Sequence, residues 1–265
     1  MSSLPVAIQF DWELFGERIF NGEGVFWEAL VTTVYIAVIA QVLGVVLGLI
    51  TALAARSPVR VFRALAWTYT LVIRGTPIIV QIFFVYFGAN LFLGFDLFPR
   101  EVGLFGLALS GAVIAGTIAL AINEGAYMAE IIRSGIDSVD DGQLEAGLAV
   151  GMPRHMAMRR IVLPQAARVI IPPLGNQFNS MIKTTSLLAF IGVYELFQDS
   201  QVGYSATFKP VEYFVSVALW YLLLTTLWSL VQVRIERRLG RHDLPEQREK
   251  GPIWRTLGRV PEEAR

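Results

Sequence analysis

The chain has 265 residues, of which 54% are apolar, above the average soluble domain, where apolar content including glycine is about 45 to 50%. Acidic and basic residues balance at 22 each, so net charge carries no argument for nucleic acid or an acidic partner, and the lack of cysteine excludes disulfides and thiolate chemistry. The two histidines, His155 and His242, stand far apart without metal-ligand spacing, which leaves a membrane protein with no metal centre as the class to test.

Residues 1–24 place no basic region before an apolar core, so no cleavable signal peptide is expected and insertion is assigned to the chain's own spans. Aromatic residues alternate here with Asp11, Glu13, Glu17 and Glu23, the pattern of a short helix lying in the membrane interface. Residues 29–55 carry no charge, and about 20 apolar residues cross a hydrocarbon core of about 30 Å. This is the first span, with Gly44 and Gly48 in the spacing that permits close helix approach. After Arg56, Arg60 and Arg63 the sequence is apolar to residue 94 except for Arg74. Pro77, in Arg74-Gly75-Thr76-Pro77, removes a helix hydrogen bond, so the second span is expected to kink there. Residues 94–103 read as a turn and 104–123 as a third span. A long polar segment follows, then a fourth span over 170–191, which begins at Pro172-Pro173 and contains Lys183. A loop bearing Glu195, Asp199, Lys209 and Glu212 leads to a fifth span over 213–233, and the charged tail from Arg234 reads as solvated.

The expected fold class is therefore an all-α membrane protein with five transmembrane helices. Of the 22 lysines and arginines, 17 fall in segments 56–63, 124–170 and 234–265, which the positive-inside rule assigns to the cytoplasm. The N-terminus is then outside and the C-terminus inside. The domain reading is an extracytoplasmic segment 1–24, a transmembrane domain 25–236 with a cytoplasmic loop 138–168, and a polar tail 237–265.

Residues 140–164, DDGQLEAGLAVGMPRHMAMRRIVLP, are too polar to cross a bilayer yet lie between apolar spans. Asp140 and Gln143 have capping-box spacing, and Glu145 favours a helix N-terminus. Gly151 can take the left-handed conformation that closes a helix. Pro153 suits the first turn of a second helix, which Pro164 is expected to end. The first helix, about ten residues and 15 Å long, is marginal alone and needs a surface to dock on, with Leu144 and Leu148 as its apolar stripe and Ala146 and Ala149 beside it. Packing on its own bundle and docking on a partner are both open to this point. Arg154, His155, Arg159 and Arg160 form a basic cluster suited to anionic headgroups or to a partner.

Glu145-Ala146-Gly147, Gly151, Ile161, Leu163 and Pro164 resemble the EAA loop of permease subunits of ATP-binding cassette (ABC) importers. Ile73 to Pro77 with Val80-Gln81, Ala126-Tyr127 with Ala129-Glu130 and Arg133 to Ile136, and Lys183 to Leu187 look like the polar amino acid permeases of that class. Together these motifs cover roughly residues 25–236. Gly147 stands where a second alanine is usual, and Thr184 where aspartate is common. The resemblance implies a type I ABC importer permease fold in a bacterial inner membrane. It also implies a coupling role for Leu144, Glu145, Ala146, Gly147, Leu148 and Gly151. The partners it implies are two ATPase subunits, a second permease chain in a homo- or heterodimer, and an extracytoplasmic substrate-binding protein.

No GxxxxGK motif precedes Lys183, Lys209 or Lys250, and no nucleophile, base or zinc motif is found, so ATP is expected to be bound and hydrolysed by a partner and the chain needs no cofactor. A charge near the bilayer centre costs about 2.5 to 3.5 kcal/mol, so Arg74 and Lys183 are expected to face a cavity, to snorkel or to tie down a helix end. Candidate substrate contacts are Glu124, Arg74, Thr76, Asn176, Gln177 and Lys183. Glu124 is placed to meet the α-amino group or a cationic side chain, whereas Glu130 is expected either to sit at a solvated helix terminus or to pair with Arg133. The competing classes are a secondary transporter or channel working without ATP, and a membrane anchor or signalling partner.

Overall fold

The computed structural model describes residues 10–20, 24–88, 91, 92, 94, 97–99, 101–104 and 107–239. A short helix α1 (Trp12–Phe20) precedes α2 (Gly24–Ala55), α3 (Arg60–Gly75) and α4 (Ile78–Phe83), and α4 runs on through a π-helical turn to Gly88. A hairpin of β1 (Glu101–Leu104) and β2 (Leu107–Ser110) pairs Glu101 with Ser110 and leads into α5 (Gly111–Asp137). Then come α6 (Asp141–Ala149), α7 (Arg154–Ala157), a π-helical turn Met158–Val162 and α8 (Leu163–Thr184). A 3-10 segment Thr185–Ile191, α9 (Leu196–Thr207) and α10 (Pro210–Arg238) complete the described chain.

Among the described residues three helices, α2, α5 and α10, are long and apolar enough to cross a membrane. Two bent pairs raise the number to as many as five. α3 meets α4 at 109°, and the segment Arg154–Ile191 meets α9 at 49°. The break at Thr76-Pro77 is sharper than the expected kink. Thr76 and Pro77 both take extended backbone, and Pro77 has no N–H to continue the helix.

The centre of the fold is the α2–α5 pair. Among lipid tails helices gain no hydrophobic drive to associate, so close backbone contact between small residues must supply the attraction. A Cβ on Gly48 would collide with the Cβ of Met128 and come within 2.9 Å of the Ala129 nitrogen; one on Gly44 would lie 2.6 Å from Cγ of Glu124. Around this seam Ile36, Ala37 and Ala40 of α2 pack with Ile82 of α4, Leu120 of α5, Met181 and Ile182 of α8, and Leu188. A second cluster toward the 138–168 loop joins Ala52, Met128, Ile132 and Ile136 to Val162 and Ala166, with Leu144 packed on its edge.

Several expectations from sequence are corrected. Residues 101–104 and 107–110 form the hairpin, so the third span starts at Gly111, and it runs beyond Glu124 to Asp137. Glu124 does not stop the helix because a partner on α2 receives it. Pro164 does not end the second loop helix either. It sits in the first turn of α8, and the preceding π-helical turn carries the chain from α7 into α8 without a break. Pro172 and Pro173 consequently lie inside α8, where Gln232 of α10 donates to the Pro172 carbonyl at 3.3 Å. Most of the expected tail, from residue 240, and residues 1–9 of the N-terminal segment lie outside the described residues.

Near the N-terminus Arg18 of α1 is clamped on α10 and α9. It pairs with Asp199, and its guanidinium lies 5.1 Å from the Phe26 ring and 5.0 Å from the Tyr213 ring. Trp12 and Phe20 stay exposed on the other side of α1.

Candidate coupling and translocation sites

The 138–168 loop is built by local backbone chemistry. Asp140 caps α6 by accepting from the Gly142 N–H at 2.7 Å. The reciprocal half of the expected capping box is absent, since the Gln143 side chain instead accepts from Gln165 at 3.5 Å. Gly151 has φ +84°, the Met152 N–H donates to the Gly147 carbonyl at 3.1 Å, and the Gly151 N–H donates to Leu148 at 3.0 Å. This is a Schellman closure, and it requires a residue free of Cβ strain at position 151. Pro153 then precedes α7 with φ −65°.

The loop folds on itself at Gly147, which is buried because a Cβ there would lie 2.9 Å from Cδ1 of Ile161 and 3.1 Å from Cβ of Ala157. Leu144 is half-buried against the cluster that contains Ile136 and Val162, whereas Leu148 is 40% exposed and Val150 75%. Glu145, Ala146 and Ala149 are also exposed. The expected apolar stripe is therefore divided: Leu144 anchors α6 to the bundle and Leu148 faces outward. Arg154, His155, Arg159 and Arg160 are exposed beside it. The result is a short helix with a free outer face, held at its back to a segment continuous with α8.

Within the bundle, Glu124 is 5% exposed. The Gln41 amide of α2 donates to its Oε1 at 3.1 Å and lies 3.8 Å from the Met128 sulfur, while the Gln41 amide oxygen is buried with no partner. Tyr69 of α3 donates to the Ile122 carbonyl at 2.5 Å beside this pair. One turn away, Gln81 repairs the broken helix. Its amide donates to the carbonyls of Ile73 (2.7 Å) and Thr76 (3.1 Å) and to the Thr76 hydroxyl (2.8 Å), and its oxygen accepts from Asn123 at 2.9 Å. Arg74 is exposed, with its guanidinium 5.5 Å from the Tyr127 ring. Glu130 pairs with Arg133 at 2.5 Å as helix spacing predicts, and Arg133 also reaches Asp137, which pairs with Arg56 in the turn after α2.

The fourth-span candidates lie elsewhere. Asn176 is exposed and accepts from Gln232 at 3.2 Å, and Gln177 is half-buried on the same helix. Lys183 is exposed at the end of α8 and lines a hollow of about 570 Å³ with Ser186, Phe197, Phe214, Tyr221 and Thr225. Among the described residues its ammonium has no hydrogen-bond or ion-pair partner. The wall of the hollow is stiffened from behind, since Tyr221 donates at 2.6 Å to Glu195, a fully buried carboxylate that also caps α9 by accepting from the Gln198 N–H.

The structure thus brings Thr76 to the Gln81–Asn123 link, next in sequence to Glu124, and sets Lys183 apart against α9 and α10. Gln41 and Gln81, which sequence reasoning passed over as site residues, are the partners that hold these groups. Gln81 stood inside a noted motif. Gln41, 83 positions from Glu124, carried no local signal.

A solvent-facing lever joined to a span, with polar groups held among apolar helices, defines a membrane transport subunit rather than an anchor. The chain belongs to the family of binding-protein-dependent transport system inner membrane components, which it matches over residues 44–241. It is a multi-pass permease component and not itself an enzyme. It is 40% identical to the arginine transport system permease protein ArgU of Corynebacterium glutamicum over 88% of this chain and 73% of that one. To the L-cystine permease TcyB of Bacillus subtilis it is likewise 40% identical, over 91% and 97%. The glutamine permease GlnP of Escherichia coli is 35% identical over 88% and 99%. The crystal structure of an amino acid ABC transporter with histidines superposes with a TM-score of 0.71 at 36% identity, covering 81% of this chain and 94% of that one. A MetNI methionine transporter chain, at 16% identity and a TM-score of 0.65, shares the fold.

Proposed function

We propose that this chain forms the membrane path of an ATP-driven amino acid importer, and that α6 is the seat of a separate ATPase subunit on the cytoplasmic side. The observation that carries the reading is the coupling loop. Its back is held to the bundle at Leu144 and to α7 and the turn after it at Gly147, its outer face is free at Glu145, Ala146, Leu148 and Val150, and the chain runs on from α7 into α8. A push on α6 therefore moves a helix rather than a slack loop. In this reading five spans place the N-terminus outside and the C-terminus inside. A second permease chain covers the exposed polar positions Arg74, Thr76, Asn176 and Lys183, which are too costly to leave in lipid. An extracytoplasmic binding protein delivers the substrate.

Glu124, beside the unpartnered Gln41 oxygen, offers acceptors to the ammonium or cationic side chain of the amino acid as it passes toward the cytoplasm. Arg74 and Thr76 face the substrate near the α3–α4 break, and Asn176, Gln177 and Lys183 face it separately on α8. The chain supplies no ATP chemistry of its own, and ATP is held by the partner.

Uptake of L-glutamine, L-arginine and L-cystine into proteoliposomes, measured with and without the ATPase subunit and ATP, tests the reading. Dependence on both supports it, and uptake driven by an ion gradient alone overturns it. Gly151→Pro removes the N–H given to Leu148 and cannot adopt φ +84°, so it is expected to uncouple hydrolysis from uptake while leaving insertion intact.

A further inference from the structure

The far end of α10 and the coupling helix α6 meet the same face of α8. α8 and α10 run antiparallel and are laced by polar contacts: Asn179 donates to Ser229 at 3.3 Å, Trp228 to the Gly175 carbonyl at 2.8 Å, and Gln232 to Asn176 at 3.2 Å and to the Pro172 carbonyl at 3.3 Å. Gln165, Pro172 and Asn176, spaced seven and four apart, share one stripe of α8. Seven residues on from the Gln232–Pro172 contact, about 10 Å along each helix, Leu239 comes about level with Gln165. Gln165 in turn donates to Gln143 of α6 at 3.5 Å. The last described residue therefore lies on the flank of α8 that carries α6.

The outer face of α6 has a definite chemistry. Asp141, Glu145 and Leu148, spaced four and three apart, lie on one side of the helix, and all three are exposed. Neither carboxylate has an ion pair among the described residues, although Arg154, Arg159 and Arg160 stand exposed on the adjoining segment. The face suits a partner that brings two cations about one helical turn apart and an apolar group beside them. The chain's own sequence holds such a partner. From Lys250 to Val260 it carries Lys250, Arg255 and Arg259 and no acidic residue, with Ile253, Trp254 and Leu257 between them. Arg255 and Arg259 have the same spacing as Asp141 and Glu145. Residues 240–249 separate this segment from Leu239, and a stretch of that length spans at most about 35 Å. α6 has nine residues and is about 14 Å long, so the segment reaches all of it.

We propose that residues 250–260 dock on the Asp141–Glu145–Leu148 face of α6, with Arg255 and Arg259 on the two carboxylates and Trp254 and Leu257 over Leu148. The contact covers the seat assigned above to the ATPase subunit, so it is an autoinhibitory cover that the ATPase displaces. The proposal rests on the coupling reading and adds its regulation. Exposed ion pairs are weak, but tethering offsets the weakness. A short tether holds the segment at an effective concentration on the order of 1 mM, so a contact with a Kd of about 0.2 mM is populated about five to one and lowers the apparent affinity of a competitor about sixfold.

The test uses the full-length chain in nanodiscs. The chain has no cysteine, so Ala149→Cys with Ile253→Cys reports the contact as a disulfide formed by mild oxidation. A monomer-sized cross-linked product is expected both in phosphatidylcholine alone and with phosphatidylglycerol added. Arg255→Glu with Arg259→Glu is expected to suppress it, Asp141→Arg with Glu145→Arg to restore it in that background, and excess ATPase subunit to abolish it. No product, a dimer-sized product alone, or loss of the product when phosphatidylglycerol is added overturns the proposal, the last two by giving the face to a second copy or the segment to lipid. In a binding assay, the chain truncated after Leu239 is expected to take up the ATPase subunit about sixfold more tightly than the full chain, and the gap to close at about 0.5 M salt, where screening is strong. If both chains bind the ATPase equally and Leu148→Asp weakens binding, the cover falls and the coupling reading stands; if Leu148→Asp leaves ATPase binding unchanged, both fall.

Discussion

Gly147 offers the sharpest test of the coupling loop, because the family's usual alanine and a slightly larger residue are expected to part company there. A Cβ at position 147 would lie 2.9 Å from Cδ1 of Ile161 and 3.1 Å from Cβ of Ala157. The Ile161 methyl is the free end of a half-buried side chain and can rotate away, so Gly147→Ala costs less than about 1 kcal/mol in crowding. Alanine regains about 1 kcal/mol of helix propensity over glycine, and the two effects nearly cancel. Gly147→Val adds two methyl groups facing Ala157, whose Cβ cannot rotate away. Overpacking of this kind costs about 1 to 3 kcal/mol, a shift of roughly tenfold to a hundredfold in the fraction of α6 held against α7. Proteoliposomes with the ATPase subunit supply the assay, with uptake and ATP hydrolysis measured on the same preparation. Alanine should preserve the ratio of uptake to hydrolysis, and valine should lower it on the order of tenfold while the protein still inserts. A valine variant with a wild-type ratio, or an alanine variant as damaged as valine, would refute the reasoning.

Glu124→Gln keeps the shape of the side chain and an oxygen for Gln41 but removes the charge, so uptake of L-arginine should fall more than uptake of L-glutamine. Equal effects on the two would remove Glu124 from substrate contact. At the α2–α5 seam, Gly48→Leu drives a side chain into the backbone of Ala129 as well as into Met128, and no rotamer relieves a backbone clash. Membrane-inserted yield should drop by several-fold, whereas Gly16→Leu, in open space, should leave it unchanged. The Asp11–Lys209 pair, at 2.5 Å, ties α1 to the turn before α10. The Lys209 hydrogen bond holds the Asp11 carboxyl below its ordinary 3.8, so that contribution is complete above 3.8 and is lost as pH falls through the lowered value. Asp11 in turn holds Lys209 above its ordinary 10.5, and that contribution is complete below 10.5 and is lost as pH rises through the raised value. The chain has no cysteine, so spin labels on Gly16→Cys and Ser205→Cys report this contact cleanly. Their separation should be constant from about pH 5 to about pH 9 and grow only outside that window; a transition near neutrality would contradict the assignment.

The sequence by itself determined whatever depends on neighbouring residues along the chain. Asp140, Gly151 and Pro77 act on their own backbones, so a cap, a left-handed closure and a helix break could be read where the structure has them. Apolar stretches longer than a bilayer is thick could likewise be read as spans, because crossing a membrane is a condition on one segment alone. Only the tertiary structure decided what depends on partners distant in sequence. Pro164 proved to start a helix rather than end one, because a π-helical turn lies ahead of it. The third span continued past Glu124 because Gln41, on another helix, receives that carboxylate in the interior. Lys183 stands beside Phe197 of α9 and Phe214 and Tyr221 of α10 at one hollow, a grouping that draws on three separate helices. Local sterics act within a few residues, whereas the cost of burying a polar group is settled by whichever helix packs against it, and no short stretch of sequence records that choice.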